Sequence, residues 1–448
     1  MSIAQKSFIL FRRDLFVYAI SIVTSAIIAR TLGPVQMGIW LICLMIPSYA
    51  EAFGRLKLDV SAVYFLGKKR CSLGEMTFII NVVSLFFGFL FFVLVVWQIN
   101  FVQAFLFKNA IVPNSLIYLV MIFVVIRFIG MNYSYLLIYL EDVHAYNAFV
   151  FIQQILGSVF AIVFLVFFQA KLFGMIFALL FAGILSVMFA AWKIQKKEKI
   201  VPRFDLGIMA DLIKFSYKLY LSGIVGFLNQ YVSSLFVAYY LLPAQVAYFR
   251  MGQDKALLLQ KIPQSISTIL YPRISKLNDD DNNTAKITVL SFRVSLILMV
   301  LAAIAGIFLI KPVVLVLYGK DYLPLSIAFW ILIPGLVLSG ASAMFTQYFM
   351  GIGRPQIDLA ISIVPLISQI ILGFIFIPIY GVIGAAVTAS FTLIIRSLVA
   401  MFVFHRISKV PLREVVLPTS EDFSLIFNFI KGQINSFFAR FRKIKNNF

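Results

Sequence analysis

Charge, cysteine and histidine are all scarce in this sequence. Of 448 residues, 12% are charged, two are Cys and two are His. Cys43 lies in an apolar run and Cys71 in a basic stretch, so the two indicate no disulfide framework. The sequence contains no Cys/His spacing typical of a metal site, no glycine-rich phosphate loop and no nucleophile motif. It therefore predicts no catalytic residue, no metal site and no cofactor.

Apolar residues, by contrast, make up 62% of the chain, and the mean hydropathy is +1.00. Such a composition leaves too little polar surface for a water-soluble protein. The apolar runs are long and do not alternate, which favours helices of about 20 residues that cross a bilayer. We predict an all-α polytopic membrane protein with twelve transmembrane helices. The predicted spans lie near 14–30, 36–66, 75–98, 114–140, 145–168, 172–192, 219–241, 245–272, 287–310, 324–350, 356–379 and 382–405.

An internal repeat divides the chain. The sequence TLGPVQMGIW at 31–40 is similar to YLLPAQVAYF at 240–249. In both, a proline (Pro34 and Pro243) is the first residue of a Pro-x-Gln motif. The longest polar interval, 193–218, falls between the sixth and seventh spans. The predicted domains are an N-terminal six-helix lobe at 1–198, a cytoplasmic inter-lobe linker at 199–218, a C-terminal six-helix lobe at 219–406 and a tail at 407–448.

The distribution of lysine and arginine predicts the orientation, because these residues concentrate in cytoplasmic loops. With the N-terminus inside, twenty-five of the 38 lie in inner segments and five in outer loops. Both termini and the interval 193–218 are therefore predicted to be cytoplasmic. The net charge of +20 is explained by this topology and by anionic lipids, and no nucleic-acid partner is predicted.

The tail mixes Phe and Ile at helical spacing with a basic end and is too interrupted to cross a membrane. Thr419 and Asp422 suit the N-terminus of a helix over 423–438. We predict a cytoplasmic amphipathic basic tail that binds anionic membrane lipids; a disordered tail is the alternative. The bases that would contact the lipids are Arg440, Arg442, Lys443 and Lys445.

Eight bases fall inside the predicted spans, where a charged side chain costs on the order of 2.5–3.5 kcal/mol. In the second span, Glu51, Arg55 and Asp59 form two i,i+4 steps on one helix face. The eighth span has the same i,i+4 spacing of a base and an acid, in Arg250 and Asp254. The eight bases are Arg55, Lys57, Arg127, Arg250, Lys255, Lys261, Arg293 and Arg396.

These charges have two interpretations. They can be neutralised pairs that fix helix packing, with lysines near span ends reaching the headgroups. Alternatively, they can face a wet cavity, where the excess of bases over acids suggests an anionic substrate. Lys57 lies on nearly the opposite helix face from Arg55, so at most one of the two faces a given cavity. The predicted substrate-binding residues are Arg55, Lys57, Arg250 and Lys261, with Glu51, Asp59 and Asp254 as their charge partners in the cavity.

Three stretches together resemble a known family. They are RTLGPVQMGIW after the first span, the block from GIVGFLNQ to YPRISKL at 223–277, and the block from MGIGRPQIDL to GAAVTASF at 350–391. The chain resembles the multidrug/oligosaccharidyl-lipid/polysaccharide (MOP) exporter superfamily over about residues 8–406, and most closely its polysaccharide-unit, O-antigen-type flippases. The resemblance implies two pseudo-symmetric six-helix bundles around a central cavity lined by spans 1, 2, 7 and 8. Many relatives carry an acid in the seventh span near Ser233, where this chain offers Asn229 and Gln230.

The resemblance and the cationic surplus together predict a transporter and not an enzyme. Its cargo would be a polyprenyl-diphosphate-linked oligosaccharide repeat unit, flipped across the bacterial inner membrane by alternating access. A proton or sodium ion is a possible coupling partner, and other polysaccharide-assembly membrane proteins are possible partners. One alternative is a cation-coupled multidrug exporter, which would carry acids in spans 1 and 7. The other is a membrane polysaccharide polymerase or ligase, which would need a large outer loop with catalytic carboxylates.

Overall fold

A computed structural model describes residues 3–108, 110–276, 281–354, 356–417 and 419. Within them, all regular secondary structure is helical, as the sequence predicts. The predicted tail lies mostly outside the described residues. The helices of the first part are α1 (Ile3–Gly54), α2 (Leu58–Gly67), α3 (Leu73–Trp97), α4 (Ile99–Leu106), α5 (Asn114–Tyr139), α6 (Val143–Phe151), α7 (Gly157–Ile162), α8 (Lys171–Lys197) and α9 (Leu206–Tyr240).

The remaining helices follow the repeated Pro-x-Gln motif. Short irregular turns interrupt two predicted spans: π-helical turns at Ile152–Leu156 and Val163–Phe167 flank α7, and a 3-10 turn occupies Leu257–Gln260. A further 3-10 turn, Lys320–Tyr322, lies between two spans. The helices are α10 (Pro243–Ala256), α11 (Lys261–Lys276), α12 (Asp281–Leu317), α13 (Leu325–Gly351), α14 (Gln356–Ser408) and α15 (Leu412–Val416).

Nine helices of the described chain are long and apolar enough to cross a membrane. Two of them contain a glycine with non-helical backbone: Gly33 in α1 at φ 70° and Gly381 in α14 at φ 57°. Glycine adopts positive φ without a steric penalty, and Pro34 then suits the first turn of the next helical segment. The breaks separate the first predicted span from the second and the eleventh from the twelfth. The count of twelve spans stays a prediction.

The predicted inter-lobe linker is partly helical. Helix α8 continues to Lys197, and α9 begins at Leu206, thirteen residues before the predicted seventh span. The Asp205 carboxylate accepts hydrogen bonds from the backbone N–H groups of Gly207 and Ile208, which caps α9. The polar interval therefore extends a membrane helix instead of forming a loop throughout. The domain boundaries drawn from the repeat stay a prediction.

The described residues form two compact units. The first comprises Met1–Arg250, Lys311–Leu325 and Ile377–Val382. Its core lies around α5, which packs against α1, α2, α3 and α8. Between α5 and α3, the buried Asn132 amide donates to the Ile80 carbonyl at 3.1 Å and to the Ser84 hydroxyl at 2.8 Å. Such bonds join helices in lipid, where water cannot satisfy a polar side chain.

The second unit comprises Met251–Ile310, Ser326–Phe376 and Ile383–Phe448. Its core joins α11, α12, α13 and α14 through stacked rings, of which Phe345 contacts Phe292 at 4.9 Å and Phe404 at 4.7 Å between centroids. At Gly335 an added Cβ would lie 2.5 Å from the Ser390 carbonyl oxygen. Only glycine permits this approach of α13 to α14.

Candidate functional site

The second predicted span is broken near its middle. Helix α1 ends at Gly54, and α2 begins at Leu58. Leu56 and Lys57 adopt left-handed backbone conformations, with φ of 51° and 56°. Neither is a glycine or asparagine, so each conformation costs about 1–2 kcal/mol. A break inside a membrane span also frees backbone groups that lipid cannot satisfy, so other parts of the protein must stabilise it.

An ion cluster lies at this break and consists of Glu51, Arg55, Asp59 and Arg127. The Arg55 guanidinium lies 2.9 Å from Asp59 Oδ2 and 3.4 Å from Glu51 Oε1, and so joins the helix before the break to the helix after it. Arg127 of α5 contacts Glu51 Oε2 at 3.0 Å. Two acids and two bases make the cluster formally neutral. The side chains of Arg55 and Asp59 are only 6% and 3% exposed, so this charge balance lies inside the protein.

The sequence left open which of Arg55 and Lys57 faces a cavity, and the structure separates the two. Arg55 is buried in the ion cluster, whereas Lys57 is exposed. The Lys57 side chain lies against α9, where its Cε is 3.0 Å from the position that a Cβ of Gly223 would take. No carboxylate of the described residues forms an ion pair with Lys57. The cationic charge that remains accessible at the break is therefore that of Lys57.

An aromatic seam joins the second and seventh predicted spans on either side of Lys57. Tyr49 meets Phe227 edge to face at 4.9 Å, and the Tyr49 hydroxyl donates to the Tyr231 carbonyl at 3.1 Å. Tyr64 stacks on Phe215 at 4.5 Å with an interplanar angle of 11°. Offset and edge-to-face ring pairs stabilise packing beyond their buried area. We define the aromatic seam as Tyr49, Phe53 and Tyr64 with Phe215, Phe227 and Tyr231.

The contacts run in opposite directions along the two spans, as antiparallel neighbours require. They extend over about 45 Å at 1.5 Å per residue, which exceeds the thickness of a bilayer core. Helix α9 is therefore matched to α1 and α2 from Phe215 to Tyr231. The matched pairs are Gly38 with Pro243, Tyr49 with Tyr231, Lys57 with Gly223, Tyr64 with Phe215, and Arg70 with Asp211.

Arg250 lies beside Tyr231, at the end of the aromatic seam away from the loops that are predicted to be cytoplasmic. Its Nη1 donates to the Ser234 hydroxyl at 2.9 Å, and its guanidinium lies 5.5 Å from the centre of the Tyr231 ring. These contacts hold the guanidinium beside α9. Arg250 and Lys57 thus both lie next to α9, Arg250 at one end of the seam and Lys57 between its two groups of rings.

The two copies of the repeated motif contact each other in the first unit. A Cβ added at Gly38 would lie 1.7 Å from the Pro243 carbonyl oxygen, so the two backbones touch. Nearby, the Tyr322 hydroxyl donates to the Ala29 carbonyl at 2.8 Å, and Arg30 Nε donates to the Leu317 carbonyl at 2.9 Å. The predicted topology places these contacts at the outer face.

At the predicted cytoplasmic end, ion pairs join the loop after α2 to the polar interval. Arg70 Nη1 lies 3.2 Å from Asp211 Oδ2, and Arg203 Nη1 lies 3.3 Å from Glu75 Oε1. The side chains of both arginines are more than half exposed, so each pair contributes at most about 1 kcal/mol.

Cys71 lies beside these ion pairs. Burial first, and the neighbouring carboxylates of Glu75 and Glu198 in addition, together raise the pKa of the Cys71 thiol to about 11. A negative charge nearby disfavours the thiolate, as does loss of water. The thiol is therefore poorly reactive at neutral pH.

The other predicted site residues fall in the second unit. Lys261, the first residue of α11, and Asp254 of α10 are both exposed. Arg396 pairs with Asp358 at 3.1 Å, and Arg293 Nε donates to the Glu414 carbonyl at 2.9 Å. These two arginines have the partners that the helix-bracing interpretation requires. The substrate-binding role of Arg55, Lys57, Arg250 and Lys261 stays a prediction.

Two features of the site were missed in the sequence. Arg127 was counted among the bases in spans, but its pairing with Glu51 joins helices far apart in the chain. The left-handed pair Leu56 and Lys57 carries no local signal, because neither residue type favours that conformation. The high Phe content indicates that aromatic contacts are common, but composition alone does not predict which rings form the aromatic seam.

The helical architecture matches that of solved transporters. It aligns with the lipid II flippase MurJ in an inward closed conformation at a TM-score of 0.73, with 17% identity over 91% of this chain and 89% of that one. It aligns with an inward-facing multidrug resistance MATE family transporter of the MOP superfamily at a TM-score of 0.71, with 14% identity over 90% of this chain and 96% of that one. The fold is that of the MOP-type membrane transporters, and the predicted resemblance is confirmed.

Sequence comparison identifies the family. The family model described as "Polysaccharide biosynthesis protein" matches residues 27–327, and this chain belongs to that family. A putative O-antigen transporter of Shigella flexneri is 22% identical over 250 residues, which is 55% of this chain and 59% of that protein. The match thus spans less than two thirds of that relative. These similar proteins are transporters and not enzymes.

Proposed function

We propose that this protein flips a polyprenyl-diphosphate-linked oligosaccharide repeat unit across the bacterial inner membrane by alternating access, for assembly of a surface polysaccharide such as O-antigen or capsule. Membership of a polysaccharide biosynthesis family and similarity to an O-antigen transporter support the class of cargo. The single observation that carries the proposal is the exposed Lys57, held at a break inside the second predicted span.

The charge of the cargo explains why such a lysine is needed. A diphosphate that leaves the headgroup layer loses water and counter-ions, and an unpaired charge in the bilayer is very costly. Fixed cations on the path reduce that cost. Arg55 is neutralised by its two acids, and Lys57 is the exposed cation at the break, so the contact with phosphate oxygens falls first to Lys57. Arg250 is the second predicted base. The planar guanidinium of Arg250 can bind two phosphate oxygens at once.

Other parts of the proposal follow from the predicted topology. The polyprenyl tail stays in the bilayer while the sugar and diphosphate pass, and both chain termini lie in the cytoplasm. Lys261 stays a further predicted base, and Glu51, Asp59 and Asp254 stay predicted charge partners, of which Glu51 and Asp59 neutralise Arg55. Either a proton or sodium gradient or removal of the flipped cargo gives direction to the cycle.

A deletion strain tests the function. Lipid-linked repeat units should accumulate on the inner leaflet, surface polysaccharide should be lost, and the wild-type gene should restore both. Unchanged polysaccharide together with increased sensitivity to cationic dyes would show that the protein is a drug exporter and not a flippase.

Variants test the residues. Lys57→Ala and Arg250→Ala should reach the membrane at wild-type levels but fail to restore polysaccharide, whereas Lys57→Arg should restore it in part. Lys196→Ala, which removes an exposed lysine at the end of α8, is the matched control and should restore it fully. Full restoration by Lys57→Ala would contradict the assigned role of that lysine.

A further inference from the structure

Backbone groups freed by the break after Gly54 need partners. In an uninterrupted helix the Phe53 carbonyl would accept the N–H of Lys57, four residues on. Here the Tyr220 hydroxyl of α9 donates to the Phe53 carbonyl at 3.0 Å instead. The seventh predicted span thus supplies the hydrogen bond that the second span lost at its break.

The Lys57 side chain depends on the same part of α9. Its Cε lies 3.0 Å, and its Nζ 3.9 Å, from the position that a Cβ of Gly223 would take. This spacing is tighter than an ordinary van der Waals contact, so a side chain at 223 would displace the lysine. At Gly226, one turn further along, no atom lies within 4 Å of an added Cβ.

Tyr220 and Gly223 are three residues apart and therefore lie on one face of α9. We propose that they are positioning residues for Lys57: Tyr220 keeps the second span broken, and Gly223 leaves room for the lysine beside the seventh span. Both contacts form or part together when α9 moves against the second span. The binding of an anionic group by Lys57 therefore depends on the position of the seventh span.

This inference rests on the proposed function only for its consequence in transport, because the positioning itself has a structural readout. In full-length protein in nanodiscs, amide hydrogen exchange is followed in peptides that cover 54–58. Tyr220→Phe frees the Phe53 carbonyl to accept the Lys57 N–H, so exchange at the break should slow by about threefold or more. Tyr217→Phe, which removes an exposed hydroxyl from α9, should leave exchange unchanged. Unchanged exchange in Tyr220→Phe would overturn the positioning role, whatever happens to transport.

A double-mutant comparison tests Gly223. Gly223→Ala should lower restoration of surface polysaccharide by about tenfold, as a misplaced binding group does, whereas Gly226→Ala should not lower it. In a Lys57→Ala background, which has no lysine stem to displace, Gly223→Ala should cost no protection against hydrogen exchange at 54–58, whereas beside Lys57 it should cost some. An equal loss in both backgrounds would show that Gly223 acts through general packing and would refute its role. Full activity of Lys57→Ala would show that Lys57 does not contact the cargo. The hydrogen-exchange result would still show whether Tyr220 positions the break.

Discussion

Replacing Arg55 by Met distinguishes a structural arginine from one that binds cargo. The side chain is 6% exposed and lies between Asp59, itself 3% exposed, and Glu51. Removal of Arg55 leaves Asp59 buried without a described cation, while Glu51 keeps Arg127 at 3.0 Å. Breaking a buried pair from one side costs about 3–5 kcal/mol. We expect the lower end of this range, because one of the two acids retains a partner.

The measurement is the apparent unfolding temperature of the detergent-solubilised protein, followed as the fraction that stays monodisperse after heating. Arg55→Met should lower this temperature by several degrees. Asp59→Asn in the same background removes the orphaned charge and should recover much of the loss. Lys57→Met, which removes an exposed amine, should change stability by no more than about 0.5 kcal/mol. If Arg55→Met keeps wild-type stability and only transport is lost, Arg55 binds cargo and the reasoning from burial is wrong.

Three further predictions follow from packing, thiol chemistry and topology. Gly38→Ala would drive a methyl group into a backbone carbonyl and should destabilise the protein by about 1–3 kcal/mol or more in the same heating assay, whereas Gly67→Ala, with open space around it, should not. Alkylation of Cys71 by iodoacetamide should be about 100-fold slower at pH 8 than that of an exposed cysteine, and should accelerate as the pH rises towards 11; rapid labelling at pH 8 would contradict its burial. Alkaline-phosphatase reporters fused after Lys199 and after Arg406 should be inactive, and an active fusion at either point would overturn the predicted orientation.

The membrane helices could be predicted from the sequence because lipid permits few alternatives. An apolar run of about 20 residues must be a helix there, and the Gly33–Pro34 pair marks a break by its residue types. The predicted spans accordingly fall on helices of the described chain, except at the break in the second span. The helical start of α9 was missed because the charged residues of 206–218 hide its helical pattern.

For the candidate site, the sequence predicted the charged residues but not their full arrangement. The i,i+4 spacing of Glu51, Arg55 and Asp59 correctly placed these side chains together, because local spacing determines such contacts. The spacing assumed a continuous helix, however, and so did not predict the break at Leu56 and Lys57. At that break Tyr220 of α9 contacts the Phe53 carbonyl and Arg127 of α5 contacts Glu51, and both partners come from distant parts of the chain.

The residue-by-residue match between α9 and the second span constrains how these segments can change. One residue inserted in α9 between Phe215 and Gly223 would rotate everything beyond it by about 100° and turn Gly223 away from Lys57. A compensating insertion at the matching level of α2 would be needed to restore the alignment. Insertions and deletions should therefore be rare in both segments or occur in both. Chimaeras that exchange one of the two segments with a distant relative should fail, while those that exchange the pair should assemble.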